Sequence, residues 1–310
     1  MGGGGKRDAI KLCRASASAE GRLDNVTTGW RRLAFAAPIA AAGAALLARR
    51  SSRASLAEAE ASWRRIAAAA DPAPPRFDPE AELSGLPEAA RLYFRHAIAP
   101  GTPLSTTVCV EMDGTFLLGD ARSHGSWSMT AREILAPPVG FVWMPRLRSG
   151  PLLISGSDGL EGEEAWTRFH LAGLIPVARS RTSPDLVRSA RFRAAVEGLW
   201  APASLLPRHG VRWEEAGADR ARLVFERLDP PVVLELTLSP EGAVTALVGR
   251  RWSNANPEGV FRLQPFGGTV HGERRFGGFT IPNVLRIGNH YGTDDHLPFF
   301  QARVTSAGYL

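Results

Sequence analysis

From residue 108 to the C-terminus, apolar side chains recur at every second position for most of the chain, the period of a half-buried strand. Val108, Val110 and Met112 alternate with their neighbours, Trp127 shares a face with Met129, and Phe141 shares one with Trp143. Trp166, Arg168 and His170 stand opposite Thr167, Phe169 and Leu171. Further strands are expected over 211–214, 221–227, 232–238, 243–252, 269–276, 285–290 and 301–305, with Pro240-Glu241-Gly242 as one of the turns between them. Asp113-Gly114 and Asp158-Gly159 read as hairpin turns. Short strands with hairpin connections predict a mainly β (α+β) fold, a curved antiparallel sheet or half-barrel with a few packing helices, rather than βαβ units.

The helical period surfaces in three places. Residues 54–70 read as a helix ending in Trp63-Arg64-Arg65-Ile66 and four alanines. Behind Pro87, Ala90, Tyr93, Phe94 and Ala97 fall on one face, and Pro100-Gly101 closes that helix. Ser183 can cap a third helix that Pro184 opens, with Val187, Ala190, Ala194 and Leu199 turned inward and Pro202 ending it. Ahead of these lies a stretch of another kind. Residues 33–48 carry no charge and are bracketed by Arg31-Arg32 and Arg49-Arg50. As a helix they would span about 24 Å, short of the roughly 30 Å hydrocarbon core. With no A-x-A-like cleavage site after it, the stretch reads as an uncleaved membrane anchor, with a twin-arginine signal or a buried Ala-rich helix as the alternatives. Four arginines precede it within twenty residues and five follow, so the charges set no direction across a membrane. The chain divides accordingly into a leader expected to be disordered or wrongly included (1–30), an anchor segment with its following helix (31–70), a Pro-rich linker (71–85) and an antiparallel β domain (86–310).

Charge sharpens that division. The 310 residues hold 37 Lys+Arg and 31 Asp+Glu, a formal +6. Residues 1–70 account for 12 of the former and 5 of the latter, which leaves the remainder at 25 against 26. The β domain has no net field to draw a polyanion, and a nucleic-acid partner is excluded on that ground. Lys6 and Lys11 are the only lysines, so the domain can form neither a Schiff base nor a P-loop. Cys13 and Cys109 are too few for a disulfide framework or a cysteine-rich zinc site. No G-x-G-x-x-G, G-x-S-x-G or H-E-x-x-H occurs, and no cofactor is expected.

Three groups of residues carry possible chemistry. His290, Asp294, Asp295 and His296 combine imidazole with carboxylate, which would suit zinc or manganese, or simply form a solvated turn. Glu197 lies at a helix end near Trp200, with Arg191 and Arg193 upstream. It is either a desolvated acid or base, with Arg191 as its aid, or the partner of an i, i+4 ion pair with Arg193. Trp127, Phe141, Trp143, Trp166 and Trp200 would line an apolar pocket if they faced a concavity, and would otherwise fill a large core.

These segments resemble a bacterial domain family of unknown function over residues 83–309. The start LPEAARLYFRHAIAPG, the strand Pro137-Pro138-Val139-Gly140-Phe141-Val142-Trp143 and the helix exit with Glu197, Trp200, Pro202, Leu205, Leu206 and Pro207 carry the resemblance. Here one residue more separates proline from glycine than in the family pattern, and Tyr93-Phe94 replaces an Arg-Tyr pair. The resemblance implies the extent of the domain and brings no activity. By fold class, a curved antiparallel sheet closed by helices is similar to the lipoprotein-carrier half-barrels of the bacterial envelope.

The leading expectation is a binding protein tethered to an envelope membrane through residues 33–48 and holding an apolar or lipid ligand in a half-barrel. The alternatives are a hydrolase-type enzyme using Glu197, and an interaction module whose concavity is filled by its own side chains.

Overall fold

A computed structural model describes residues 24–310, with backbone alone for residues 24–42, 44 and 45. The leader expected over 1–30 lies largely outside the described residues. Residues 48–310 form one compact unit, and helix α1 (Asp24–Ala68) starts ahead of it. Among the described residues no helix is long and apolar enough to cross a membrane. The side chains of the stretch expected as an anchor are for the most part not among those described.

Within residues 48–310 the chain builds two meanders. The first comprises β1 (Val108–Gly119), β2 (His124–Ala136), β3 (Gly140–Ser149), β4 (Leu152–Glu161), β5 (Glu164–Leu171) and β6 (Ile175–Ser180). The second comprises β7 (Val211–Gly217), β8 (Arg220–Phe225), β9 (Val232–Leu238), β10 (Val244–Ser253), β11 (Arg262–Phe276), β12 (Phe279–Asn289) and β13 (Leu297–Tyr309). The first and last strands pair, Val108 opposite Tyr309, and weld the meanders into one antiparallel sheet. Its order is β6-β5-β4-β3-β2-β1-β13-β12-β11-β10-β9-β8-β7, with β6 and β7 left as unpaired edges. The expected antiparallel half-barrel is therefore present, open rather than closed.

Helix α4 (Pro184–Glu197) connects the meanders. The Ser183 hydroxyl accepts from the Leu186 amide at 3.2 Å and Pro184 opens the first turn, as the capping pattern predicts. The helix packs against β5, β4, β3 and β2 of one arm and against β10 and β9 of the other. In the strand order β5 and β10 stand eight places apart, about 38 Å across a flat sheet at ~4.8 Å per strand. A helix roughly 10–12 Å thick touches both only if the sheet curls around it. That curl creates the concavity. Three 3-10 turns, Gly198–Trp200, Pro202–Leu205 and Pro207–His209, then carry the chain to β7, with Trp200, Leu205 and Leu206 buried. Two short helices precede the sheet: α2 (Pro79–Glu82) and α3 (Glu88–Ala97), the latter burying Tyr93 and Phe94 beside Trp213.

Two readings of turns fail. Asp113-Gly114 lies inside β1 and Asp158-Gly159 inside β4. At Gly114 the backbone has φ +154°, and a Cβ would stand 2.0 Å from the Gln301 carbonyl oxygen. At Gly159 a Cβ would meet the Trp166 ring at 2.2 Å, because the indole lies across its cross-strand partner. Both glycines answer a close neighbour, not a reversal of the chain.

The segment before the sheet is also more integral than expected. Phe77 and Leu83 of the supposed linker are buried in the main core, and the Phe77 amide donates to the Thr102 carbonyl at 2.8 Å. The C-terminal part of α1 lies on a second cluster, where Ala59 and Ile66 cover Ile134, Val142 and Trp166. Its rim is ionic. Arg65 donates through Nε and Nη2 to Glu161 at 2.6 and 2.7 Å, Ser62 donates to Glu161 at 2.6 Å, and Glu60 and Glu58 accept from Arg132 and Arg168.

Candidate functional site

One row of cross-strand neighbours organises the concave face. Glu133 on β2 faces Trp143 on β3, Trp143 faces Asp158 on β4, and Asp158 faces Thr167 on β5. From α4, Arg193 descends onto this row. Its guanidinium carbon lies 4.4 Å from the Phe141 ring centre and 5.0 Å from that of Trp143. Nη2 donates to Glu133 at 2.7 Å, Nη1 to Asp158 at 2.6 Å and Nε to Glu197 at 2.7 Å, so every nitrogen holds a different carboxylate.

Three acids around one base must settle their charge. Burial pushes Glu133 well above the ordinary carboxylate range, and the neighbouring Glu197 adds to that, against the pull of Arg193. Burial raises Glu197 as well, while Arg193 opposes the rise. Burial works against the charge on Arg193, yet Glu197, Glu133 and Asp158 together raise it. Glu133 is thus the acid driven furthest toward its neutral form, and its Oε2 and that of Glu197 are buried without a protein partner.

Beside this cluster is a cavity of ≈ 250 Å³. Phe116, Trp143, Phe169, Phe266, Phe299 and Phe300 supply its aromatic lining, and Trp143 stands 5.8 Å from Phe116 and 6.1 Å from Phe169 between ring centres. Arg193, Glu197, Asp158 and Arg251 form a polar wall. Arg251, on β10, donates from Nε to the Ser189 hydroxyl at 3.1 Å. Burial, and then the repulsion of Arg193, pull it down to about 10, so it is still a cation at neutral pH.

The residues singled out from sequence go to different places. Trp143 and Trp200 line the cavity, and Trp200 is fixed by donation from Nε1 to the Pro282 carbonyl at 3.0 Å. Phe141 is fully buried beneath Arg193. Trp127 is half-buried beside Phe116, its cross-strand partner, outside the lining. Trp166 is on the opposite face, under α1, where Nε1 donates to the Ser157 hydroxyl at 3.0 Å. Glu197 is both things the sequence allowed, the i, i+4 partner of Arg193 and a buried acid at the cavity wall. Arg191 instead pairs with Glu163, away from the cavity. His290 sits at φ +58° with Nε2 at 2.9 Å from the Ala255 carbonyl oxygen, His296 packs edge-on against Tyr291, and Asp294 and Asp295 are exposed. Among the described residues no group of three His, Cys, Asp or Glu side chains is placed to hold a metal ion. Glu133, Asp158 and Arg251 went unnoticed. An acid in the otherwise apolar row Trp127, Met129, Ala131 and Leu135 of β2 was the available signal for Glu133, and the turn reading hid Asp158.

The fold and site together define an open antiparallel half-barrel wrapped on one helix, with an apolar cavity that has charge on one wall. A family model matches residues 75–302, and the chain belongs to that family, a family of unknown function named DUF6544. Two solved structures are similar at low level. One is a domain assigned as an outer membrane lipoprotein-sorting protein from Vibrio parahaemolyticus, at 10% identity and TM-score 0.36, covering 66% of this chain and 85% of that one. The other is a LolA superfamily protein from Nitrosomonas europaea, at 10% identity and TM-score 0.35, covering 72% and 90%. No curated protein matches the chain.

Proposed function

We propose that residues 48–310 form a binding module that holds an apolar ligand in the cavity of the half-barrel, and that the stretch 33–48 tethers it to a membrane of the bacterial envelope. The observation that carries the reading is the cavity itself. Protein interiors leave few voids larger than a water molecule. Here ≈ 250 Å³ stays open among aromatic rings, just under the roughly 300–1,000 Å³ typical of small-molecule sites. A module with a filled concavity would have no such space. The test uses the full chain, purified in mild detergent, with a neutral lipophilic dye and native mass spectrometry. Dye fluorescence should rise on binding, and Leu285→Trp, which fills the cavity from β12, should abolish the rise without unfolding the protein. Neither a dye response nor a co-purifying lipid from the wild-type chain would sink the reading.

A second reading has one specific support: Glu197 is a buried acid at the cavity wall with a raised pKa, as a general acid requires. Turnover of an ester or amide probe by the wild-type chain, abolished in Glu197→Gln, would favour it over simple binding.

A further inference from the structure

The two arginines of the cavity wall are satisfied very differently. Arg193 has a carboxylate on each nitrogen. Arg251 has none: among the described residues no carboxylate oxygen lies within 4.0 Å of it, and Nη1 and Nη2 donate to no protein acceptor. Its geometry is nevertheless set, with Nε held by Ser189 of α4 and the guanidinium carbon 5.4 Å from the Phe266 ring centre. Arg251 is half-buried and lines the cavity, and a cation set in so apolar a wall gains from a counter-charge.

The surrounding acids do not supply that partner. Both oxygens of Asp158 are engaged, by Arg193 at 2.6 Å and by the Thr167 hydroxyl at 2.7 Å. Glu197 and Glu133 are each held by Arg193 through Oε1. A second donor on the same lining is also idle, since Trp143 Nε1 is buried with no partner. The free hydrogen-bonding capacity nearest the rings therefore includes a preset cationic fork and an indole N–H. That combination fits a planar anion.

Resting on the binding reading above, we propose that the ligand is an amphiphile with a carboxylate end, seated on Nη1 and Nη2 of Arg251 with its apolar body among Phe116, Trp143, Phe169 and Phe266. A fatty-acid-like carboxylate satisfies both walls at once. A neutral alcohol of the same length fills the apolar space but leaves Arg251 without a counter-charge.

The experiment measures displacement of Nile red from the full chain by decanoate, decanol and methyl decanoate, each below its aggregation limit. Decanoate should compete at about ten-fold lower concentration than either neutral compound, the worth of one charge-assisted hydrogen bond. Arg251→Met should erase that preference, read as the ratio of decanoate to decanol competition within the same variant, and Arg251→Lys should keep part of it. The wild-type preference needs no variant, so a misfolded Arg251→Met would not leave the question open. Equal competition by acid and alcohol, or a preference that survives in Arg251→Met, overturns the carboxylate inference and leaves the cavity reading standing. Absence of any Nile red binding, with no change in tryptophan fluorescence on adding decanoate, overturns both.

Discussion

Arg193 shows what a single side chain does in this protein. Its pairing with Glu197 is legible from the i, i+4 spacing, but its other two partners lie 60 and 35 positions away in the chain. Only strand register brings them together. Removing the guanidinium takes the charged donor from the buried Glu133, Asp158 and Glu197 at once, so Arg193→Met is expected to lose about 3–5 kcal/mol, read from urea unfolding. Glu133 has the opposite sense. Its folded pKa is raised, so between the unfolded value and the folded one the native state binds more protons than the unfolded chain. That contribution to stability is complete below the unfolded pKa and is lost as pH rises through the folded one. Glu133→Gln, which keeps the acceptor for Arg193 but cannot ionise, should therefore raise Tm relative to wild type at pH 8 and change it little at pH 4. A larger gain at pH 4 would contradict the raised pKa of Glu133.

Elements were easier to find than their roles. The seven strands expected after α4 are all present, and the capped start of α4 is where Ser183-Pro184 predicts it. The strands of the first meander were blurred, because Asp-Gly is the signature of a tight hairpin and also what a strand uses where a neighbour crowds the backbone. At Gly159 the neighbour is the Trp166 ring, and Gly159→Val should expel it. The C-terminal part of α1 was read as a continuation of an anchor, yet it buries Ile66 against the outer face of the sheet and is held there by Arg65 and Glu161. Ile66→Ala is expected to cost about 2–4 kcal/mol in urea unfolding. A chain begun at residue 76 should bind a dye for exposed apolar surface, because Ile134, Val142 and Trp166 lose their cover.

At the scale of the molecule, the open sheet and its central helix divide the labour. The pairing of β1 with β13 makes one surface of two meanders, and α4 holds the arms around itself with space to spare. Function at this scale also includes place. If residues 33–48 are a membrane address, the full chain should sediment with membranes and resist alkaline extraction, while a chain beginning at Ala48 should stay in the supernatant. Equal partitioning of the two would remove the tether from the proposal and leave the cavity untouched.

By itself the sequence determined the class of fold, the seven strands after α4, the capped start of α4 and the exclusions: a near-neutral β domain, few lysines, no dinucleotide, serine-hydrolase or zincin motif. Those follow from local periodicity and from what residues are present, which neighbours in the chain suffice to decide. Only the tertiary structure decided which face of each strand turns inward, so that Trp143 and Trp200 reach the cavity while Trp166 lies beneath α1. It alone joined Glu133, Asp158, Arg193 and Glu197 into one charge cluster and left Arg251 beside it without an acid. Alternation shows that residues share a face, but the curl of the sheet around a helix decides what that face meets.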